Sequence, residues 1–179
     1  GNHAQGVAYA AAMFGIKATI VMPEAAPIAK VQATEGYGAR VVLAGSCYDD
    51  AYAEACRICR EEGAKFLHPY NDVEVITGQG TLSLEILEQL PEADIIIVPA
   101  GGGGLLAGVA AAAKQIKPDV KVYGVQAEGA DAIARSYRAG KLVTTESAST
   151  IADGIAVKAP GDITVELINR WADGVVTVS

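Results

Sequence analysis

The sequence predicts an α/β fold with parallel sheets. Short runs of β-branched and apolar residues alternate with longer stretches of helical composition, and glycine or proline stands at most of the transitions. Helices between strands are the connections that parallel strands require. Hydrophobic residues make up 51% of the 179 residues and charged residues 20%, which is enough for a packed core and excludes a disordered chain.

Glycine, proline and acidic residues mark the predicted element ends in the first part of the chain. Gly15 and Gly63 follow helical stretches, where a glycine commonly ends a helix. Pro27 suits the first turn of a helix, and Asp49 and Asp50 favour the positive end of another. The predicted elements are a helix over 4–14, a strand over 17–22, a helix over 27–36, a strand over 40–44, a helix over 49–62 and a strand over 65–67.

A segment rich in turn-forming residues, His68-Pro69-Tyr70-Asn71-Asp72, separates this part from the next. We therefore place a domain boundary there, with 1–72 in one domain and 73–179 in the other. The second part is predicted to contain a helix over 73–90, a buried strand over 94–99, a helix over 105–116, a strand over 121–125, helices over 131–138 and 164–171, and a strand over 175–178.

Charge and composition exclude several classes of protein. A net charge of −7 argues against nucleic acid and membrane surfaces as partners, since both select clustered cations. No apolar stretch reaches the roughly 18 residues that cross a bilayer. Three cysteines without a disulfide-framework spacing favour a reducing compartment, so we expect a cytoplasmic protein. Because the chain starts at Gly1 rather than at Met, we expect it to be an internal piece of a longer protein.

The sharpest motif is Gly101-Gly102-Gly103-Gly104, between an isoleucine-rich strand and a helix. This order points backbone N–H groups at an anion, and glycine lets the backbone approach that anion closely, so we predict a phosphate site. The NTPase phosphate-loop pattern is missing. A dinucleotide stays open as an alternative, because Gly102, Gly104 and Ala107 fit its fingerprint and Glu128 ends the next strand, where a ribose-binding acid is expected.

A second candidate site is Gly1-Asn2-His3-Ala4-Gln5-Gly6, which we predict to be a loop immediately before a helix. Its N–H donors would hold a carboxylate while the Asn2 amide donates to a second group. The alternative is that Asn2 is an ordinary helix cap. Chemistry at His3 is the weaker hypothesis.

Cys56-Arg-Ile-Cys59 has the spacing of half a metal site. Together with Tyr52, however, the two thiols fall at helical spacing, so we predict that they are largely buried on the apolar face of a helix. With three cysteines and two histidines in the chain, tetrahedral zinc is hard to assemble, and we predict no metal here.

Four segments of the chain occur in an order that is typical of one family: Gly1-Asn2-His3-Ala4-Gln5-Gly6, Gly78-Gln79-Gly80-Thr81, Gly101-Gly-Gly-Gly-Leu105 and Thr150-Ile-Ala-Asp-Gly-Ile-Ala156. Taken together, they resemble the fold-type-II pyridoxal phosphate (PLP) enzymes, most closely the threonine dehydratases (threonine ammonia-lyases), with serine racemases and serine dehydratases next. The resemblance covers nearly the whole chain and implies the three-layer α/β fold of the tryptophan-synthase-β-like enzymes, with 1–72 as most of the small domain and 73–179 as part of the large one.

The resemblance also implies site residues and partners. Asn2 is expected to hydrogen-bond the phenolic oxygen of PLP, and the backbone of Gly1, Asn2 and His3 to hold the carboxylate of an amino-acid substrate. Gly101 to Leu105 are expected to cradle the PLP phosphate, and Gly154 to border the PLP ring. The implied reaction converts L-threonine into 2-oxobutanoate and ammonia, with PLP as the electron sink. We expect a homo-oligomer.

Two departures from the family pattern limit what this chain can do. No lysine of the chain lies in the Ser-x-Lys-x-Arg-like segment that carries the family's Schiff-base lysine, so we expect no catalytic residue here and no dehydratase activity from this chain alone. The divalent-metal site of the racemase branch falls at Gln126, Ala130 and Ala132. Because Gln126 and Ala132 replace acidic ligands, we expect no metal and favour the dehydratase. Whether threonine or serine is the preferred substrate stays open.

Overall fold

A computed structural model describes residues 2–46 and 48–179, so Gly1 and Cys47 lie outside the described residues. The chain divides into two compact units, Gly1–Phe66 and Leu67–Ser179. This division precedes the turn-rich segment 68–72, because that segment packs and hydrogen-bonds within the second unit. Within the described residues, every helix falls short of the length and apolarity that a membrane span needs.

The first unit contains a two-stranded parallel sheet with helices packed on it. Its elements are α1 (Asn2–Met13), β1 (Thr19–Met22), α2 (Ile28–Gly36), β2 (Arg40–Leu43) and α3 (Tyr48–Glu62). The strands pair in parallel, from Thr19 opposite Arg40 to Met22 opposite Leu43. Both predicted helix stops are confirmed, since Gly15 and Gly63 take left-handed conformations with φ of +63° and +65°.

Two predictions for the first unit are wrong. Residues 64–68 form neither helix nor strand, because a run of three residues is too short a pattern to distinguish a strand from an extended connection. Cys56 and Cys59 are half-buried rather than largely buried. The buried line of α3 runs through Ala51 and Ile58, two turns apart, and Tyr52 beside it is 40% exposed.

The second unit contains a three-stranded parallel sheet. The strand order is β3-β4-β5, with Pro99 opposite Val125 and Tyr123 opposite Gly174. Each consecutive pair of strands is joined through helices, as predicted. The elements are α4 (Val73–Gln89), β3 (Ile95–Pro99), α5 (Gly104–Ile116), β4 (Lys121–Ala127), α6 (Ala132–Ala139), α7 (Asp162–Trp171) and β5 (Gly174–Val178), with 3₁₀ turns at Glu128–Ala130 and Asp153–Ile155.

The core of the second unit lies on one face of this sheet. Ile96, Val98 and Val122 point to the helices and are buried with Leu106 and Val109 of α5. On the opposite face, Ile95 and Ile97 are 57% and 68% exposed. The strand predicted as buried is therefore buried only at alternate residues. Its unbroken apolar run is typical of a strand that is covered on both faces, as in a three-layer arrangement.

The segment Gly78-Gln79-Gly80-Thr81 lies in the middle of α4, where α4 packs against α5. A Cβ on Gly108 would collide with the carbonyl oxygen of Ile76 and lie 2.8 Å from the amide nitrogen of Gly80. Next to this crossing, the buried Ser83 hydroxyl donates to the Val109 carbonyl at 2.9 Å. The absence of side chains at Gly80 and Gly108 thus lets the two helix backbones approach each other.

We predict that Gly108→Ala destabilises the chain by about 2–3 kcal/mol, because the new methyl group meets backbone atoms of α4 that move only with the helix. Gly78→Ala is the matched control, since a Cβ there has no atom within 4 Å. That change should be neutral or stabilise the chain by up to about 1 kcal/mol through higher helix propensity. Urea unfolding of both variants measures the difference, and equal stability of the two would contradict the packing argument.

A cluster of charges joins α5, β4 and the start of β5. The Asp173 carboxylate accepts from Lys114 at 2.7 Å and from Lys121 at 3.2 Å, and it also accepts the N–H of Val122 at 2.9 Å. Burial alone raises the pKa of Asp173, but the hydrogen bonds from Lys114, Val122 and Lys121 outweigh it and lower the pKa to about 2. The ionised carboxylate therefore stabilises the fold.

Because the pKa of Asp173 is lower in the folded chain than its ordinary value of 3.8, its contribution is complete above pH 3.8 and is lost as the pH falls toward about 2. Asp173→Asn should cost on the order of 1–2 kcal/mol at pH 7, and this cost should shrink between those two pH values. Asp119→Asn, at an exposed position, should change stability by no more than about 0.5 kcal/mol. Unfolding curves from pH 2 to 7 test this, and a cost that is independent of pH would refute it.

Candidate functional site

The glycine motif forms the connection between β3 and α5, in the geometry that the sequence predicts. β3 ends at Pro99, and α5 begins at Gly104 with Gly103 as its N-cap residue. Gly103 has φ of +98°, a conformation that disfavours any side chain. The N–H groups of the loop and of the first turn of α5 therefore gather at the positive end of a helix.

The carbonyl oxygens of this loop accept hydrogen bonds from side chains of β4 and α7. The amide nitrogen of the fully buried Gln126 donates to the Ala100 carbonyl at 2.9 Å and makes a longer contact of 3.5 Å with that of Gly101. The Gly102 carbonyl accepts from the Thr164 hydroxyl at 2.7 Å and from the backbone of Gly161 at 3.3 Å. Because the carbonyl oxygens are fixed in this way, the N–H groups of the same peptide bonds point away from Gln126 and Thr164.

The N–H groups of the loop are the unsatisfied part of the site. Gly102, Gly103 and Gly104 are buried, yet none of their N–H groups has an acceptor among the described residues. Buried backbone donors are rarely left without an acceptor, because an unpaired donor costs free energy. An anion at the start of α5 would supply the acceptors, and the phosphate of PLP has the required charge and size. The residues present therefore fit that group.

Packing within the protein leaves little room for a side chain at any of the four glycines, in addition to the close approach of an anion that the sequence predicts. A Cβ on Gly102 would overlap the ring of Tyr70, and one on Gly104 would lie 2.9 Å from the Tyr70 backbone. A Cβ on Gly103 would lie 2.9 Å from three side chains of the core. A Cβ on Gly101 would lie 3.1 Å from the Cα of Ile155.

The structure brings most of the predicted cofactor residues together in the second unit. Leu105 follows the loop in the first turn of α5 and is half-buried. Gly154 lies in the 3₁₀ turn Asp153–Ile155, and its carbonyl oxygen is 3.4 Å from where a Cβ of Gly101 would stand. Gly154 thus lies beside Gly101, at the start of the loop that leads into Leu105.

The predicted substrate residues lie in the first unit. Gly1 is outside the described residues. Asn2 and His3 are the first two residues of α1, so the predicted loop before the helix is wrong: the helix starts two residues before the predicted Ala4. Asn2 is exposed and His3 half-buried. The N–H groups of this first turn have no intrahelical acceptor, which is the property that a carboxylate site needs.

The positions of the racemase-type metal site hold neutral residues in close packing. Gln126 uses both ends of its amide, because its oxygen also accepts the N–H of Ala134 at 2.8 Å. Ala130 and Ala132 are buried at 1% and 0% exposure. Across residues 2–46 and 48–179, no group of three or more histidine, cysteine or acidic side chains is placed to hold a metal ion.

Sequence reasoning missed three residues that shape the loop: Tyr70, Gln126 as a tether, and Thr164. Gln126 and Thr164 act through hydrogen bonds to carbonyl groups 25 or more residues away in the chain. Local patterns carry no signal for such contacts. Tyr70 had a weak signal, because an aromatic residue stands in an otherwise turn-forming segment.

Comparison with known proteins places these features in a family. A sequence model described as "Pyridoxal-phosphate dependent enzyme" matches residues 1–179. This match removes the alternative of a dinucleotide-binding module. The chain is 52% identical over its whole length to an L-threonine ammonia-lyase of Thermotoga maritima, of which it covers 45%.

Solved structures agree with this match. Threonine deaminase isoform 2 of Solanum lycopersicum superposes on all of the chain with a TM-score of 0.95 and 41% identity, and 52% of that protein is covered. Maize serine racemase superposes on 99% of the chain with a TM-score of 0.95 and 44% identity, and 54% of it is covered. The chain thus spans about half the length of the relatives it matches, and it is similar to a lyase and to a racemase alike.

We predict that Gln126→Glu destabilises the chain by on the order of 3 kcal/mol at pH 7, because a buried carboxylate would face the carbonyl oxygen of Ala100. Once protonated, the carboxyl group donates to that oxygen as the amide does. The pKa of the new group is therefore raised in the folded state, so the loss should nearly vanish below pH ~4.3 and grow as the pH rises.

The matched control is Gln115→Glu, since the exposed Gln115 also donates to a backbone carbonyl, that of Ala111 at 2.8 Å. Its stability should stay within about 1 kcal/mol of that of the unmodified chain at every pH, because the exposed carboxylate in the last turn of α5 meets only the negative end of the helix. Unfolding free energies of both variants at pH 4 and pH 7 are compared. A Gln126→Glu variant that is as stable as Gln115→Glu at pH 7 would show that the tether is unimportant.

Proposed function

The chain belongs to the pyridoxal-phosphate dependent enzyme family, and we propose that the whole protein is a threonine ammonia-lyase that converts L-threonine into 2-oxobutanoate and ammonia. The observation that carries the proposal is the buried glycine loop at the start of α5, whose N–H groups lack an acceptor among the described residues. Similarity to L-threonine ammonia-lyase over the whole chain supports the choice of substrate.

In this proposal the second unit binds the cofactor. Gly101 to Leu105 hold the phosphate of PLP through their N–H groups, and Gly154 borders its ring. Gln126 and Thr164 keep the loop carbonyls turned away from that phosphate. The chemistry that PLP supplies when bound is the withdrawal of electrons from the α-carbon of the amino acid.

The first unit provides the substrate contacts. The N–H groups at Gly1, Asn2 and His3 bind the carboxylate of the amino acid, and the Asn2 amide donates to the phenolic oxygen of the cofactor. A helix start suits this role because the positive end of α1 favours a carboxylate. The orientation of the amino acid is then determined by its carboxylate.

A serine racemase is the second candidate, because a racemase structure matches the chain as well as the deaminase structure does. The neutral, packed residues at Gln126 and Ala132 favour the lyase, since they offer no carboxylate to a metal ion. We further propose that 1–72 supplies most of a small domain and 73–179 part of a large domain, in a cytoplasmic homo-oligomer, with the last residues of the first range, 68–72, packed in the second unit.

The proposed reaction also needs a Schiff-base lysine, and no lysine of this chain lies in the Ser-x-Lys-x-Arg-like segment that is expected to carry it. The lysines of the chain are Lys17, Lys30, Lys65, Lys114, Lys117, Lys121, Lys141 and Lys158. Lys114 and Lys121 contact Asp173, and Lys117 donates to the carbonyl oxygens of Pro91 and Ala93 at 2.9 Å. The catalytic base is therefore expected elsewhere in the whole protein.

We predict that the full-length protein, with PLP, releases 2-oxobutanoate from L-threonine, while the 179-residue chain releases none above the rate of free PLP. The loss of a positioned base alone removes about 10²–10⁴-fold in rate. Product is measured by reduction with lactate dehydrogenase, and chiral chromatography follows D-serine formation from L-serine in parallel. Racemisation that exceeds 2-oxo acid release would overturn the lyase assignment.

Borohydride treatment is the second arm of this experiment. It should attach the cofactor to a lysine of the full-length protein outside these 179 residues, and to none within them. Mass spectrometry of the peptides identifies the modified lysine. A label on any lysine between residues 1 and 179 would contradict the assignment of the base.

A further inference from the structure

We propose that Tyr70 is a positioning residue for the phosphate cradle: its ring packs on the glycine loop and holds the loop N–H groups in the arrangement that binds a phosphate monoester. The proposal rests on the proposed function and names a residue beyond the cofactor contacts given above. Tyr70 lies outside the glycine motif and outside every helix and strand of the second unit.

The contact between Tyr70 and the loop is direct. The Tyr70 ring lies where a Cβ of Gly102 would stand, and its Cα and Cβ are both 2.9 Å from the place of a Cβ on Gly104. One aromatic residue therefore covers two of the four glycines, which are both buried. An aromatic side chain that loses little conformational freedom is well suited to fix a flexible glycine backbone.

Tyr70 is itself held at both ends. Its hydroxyl donates to the Ala159 carbonyl at 2.9 Å. On the backbone side, Nδ1 of His68 accepts the N–H of Tyr70 at 3.3 Å and that of Asn71 at 2.9 Å. The His68 ring also contacts the Tyr70 ring edge-to-face, with centroids 4.6 Å apart.

The neighbouring Asn71 joins this support to α7. Its amide nitrogen donates to Asp162 at 2.7 Å, and its oxygen accepts the N–H of Ile163 at 3.1 Å. The same α7 start supplies Gly161 and Thr164, which hold the carbonyl of Gly102. Segment 68–71, the glycine loop and the start of α7 are thus one hydrogen-bonded body, with the Tyr70 ring at the loop.

Removal of the ring should affect the phosphate selectively. Without it, Gly102 and Gly104 lose their packing on one side, and a glycine backbone has the widest choice of conformations of any residue. Binding a phosphate would then require ordering of the loop, which weakens affinity. Contacts to the cofactor ring come from other residues in the proposed site, so they should be unchanged.

The test compares PLP with pyridoxal, which has the same ring and aldehyde but no phosphate, on the full-length apoenzyme. Dissociation constants are measured by fluorescence titration. For Tyr70→Ala we expect at least a tenfold weaker affinity for PLP and a change of less than about twofold for pyridoxal. Tyr70→Phe keeps the ring, so it should retain the wild-type ratio of the two constants within about fivefold, the effect of one hydrogen bond.

Tyr137→Ala is the matched control. Tyr137 is also partly buried against the core of the second unit, and its hydroxyl donates to a backbone carbonyl, that of Ala172 at 3.2 Å. This variant loses comparable packing away from the loop. Its ratio of the dissociation constants for PLP and pyridoxal should therefore equal that of the wild type. Stabilisation of each apoenzyme against heat by inorganic phosphate gives a second readout, which Tyr70→Ala should lose and Tyr137→Ala keep.

Each outcome decides between the proposals. A wild-type apoenzyme that binds PLP and pyridoxal equally would refute the phosphate cradle and with it the proposed cofactor site. A wild-type enzyme that prefers PLP, together with a Tyr70→Ala variant of the same preference, would overturn the role of Tyr70 alone. Tyr70→Leu is measured beside it, because leucine should fold even where alanine does not but lacks the ring that lies over Gly102, so it should also weaken the affinity for PLP more than that for pyridoxal. A wild-type ratio in that variant contradicts the proposal as well.

Discussion

The glycine loop can present its N–H groups to an anion because its carbonyl oxygens are hydrogen-bonded from behind. Gln126 and Thr164 make these bonds from two different elements, β4 and α7. A peptide group turns as a unit, so a fixed carbonyl also fixes the direction of the N–H on the other side of the same peptide bond. In the proposed site, the loop N–H groups are therefore oriented by side chains that bond the opposite side of the same peptide groups.

The position of α5 is a second constraint, since the N-terminus of α5 is part of the proposed anion site. The close approach at Gly80 and Gly108 determines the distance between the backbones of α4 and α5. Asp173 connects the last turn of α5, through Lys114, to the backbone of β4 at Val122. Neither contact touches the loop. A shift of α5 along either one would nevertheless move Gly104, because the loop is continuous with the helix. Gly80 and Gly108 lie away from the loop, and they would act on the proposed site through helix packing.

The sequence predicts the elements well where long periodic stretches end at glycine, as α1 and α3 do at Gly15 and Gly63. It fails where the pattern is short, at 65–67, or where side-chain burial depends on the rest of the fold, as for Cys56 and Cys59. The glycine loop was located correctly, since strand, glycines and helix are consecutive. Its supports were not, because Tyr70 and Thr164 lie more than 30 residues from the loop in sequence, on opposite sides of it.

Gln126 shows why a neutral residue suits this position. Its amide donates to the Ala100 carbonyl and accepts the N–H of Ala134, so it joins an acceptor at the end of β3 to a donor in α6. An ionised carboxylate accepts but does not donate, and it would need a cation or a proton to lie against the carbonyl. The Gln126 amide, which both donates and accepts, links β3 and α6 without a cation or an added proton. The connection between the end of β3 and α6 therefore needs no bound ion. Because Ala100 directly precedes Gly101, the same hydrogen bond also fixes the start of the glycine loop.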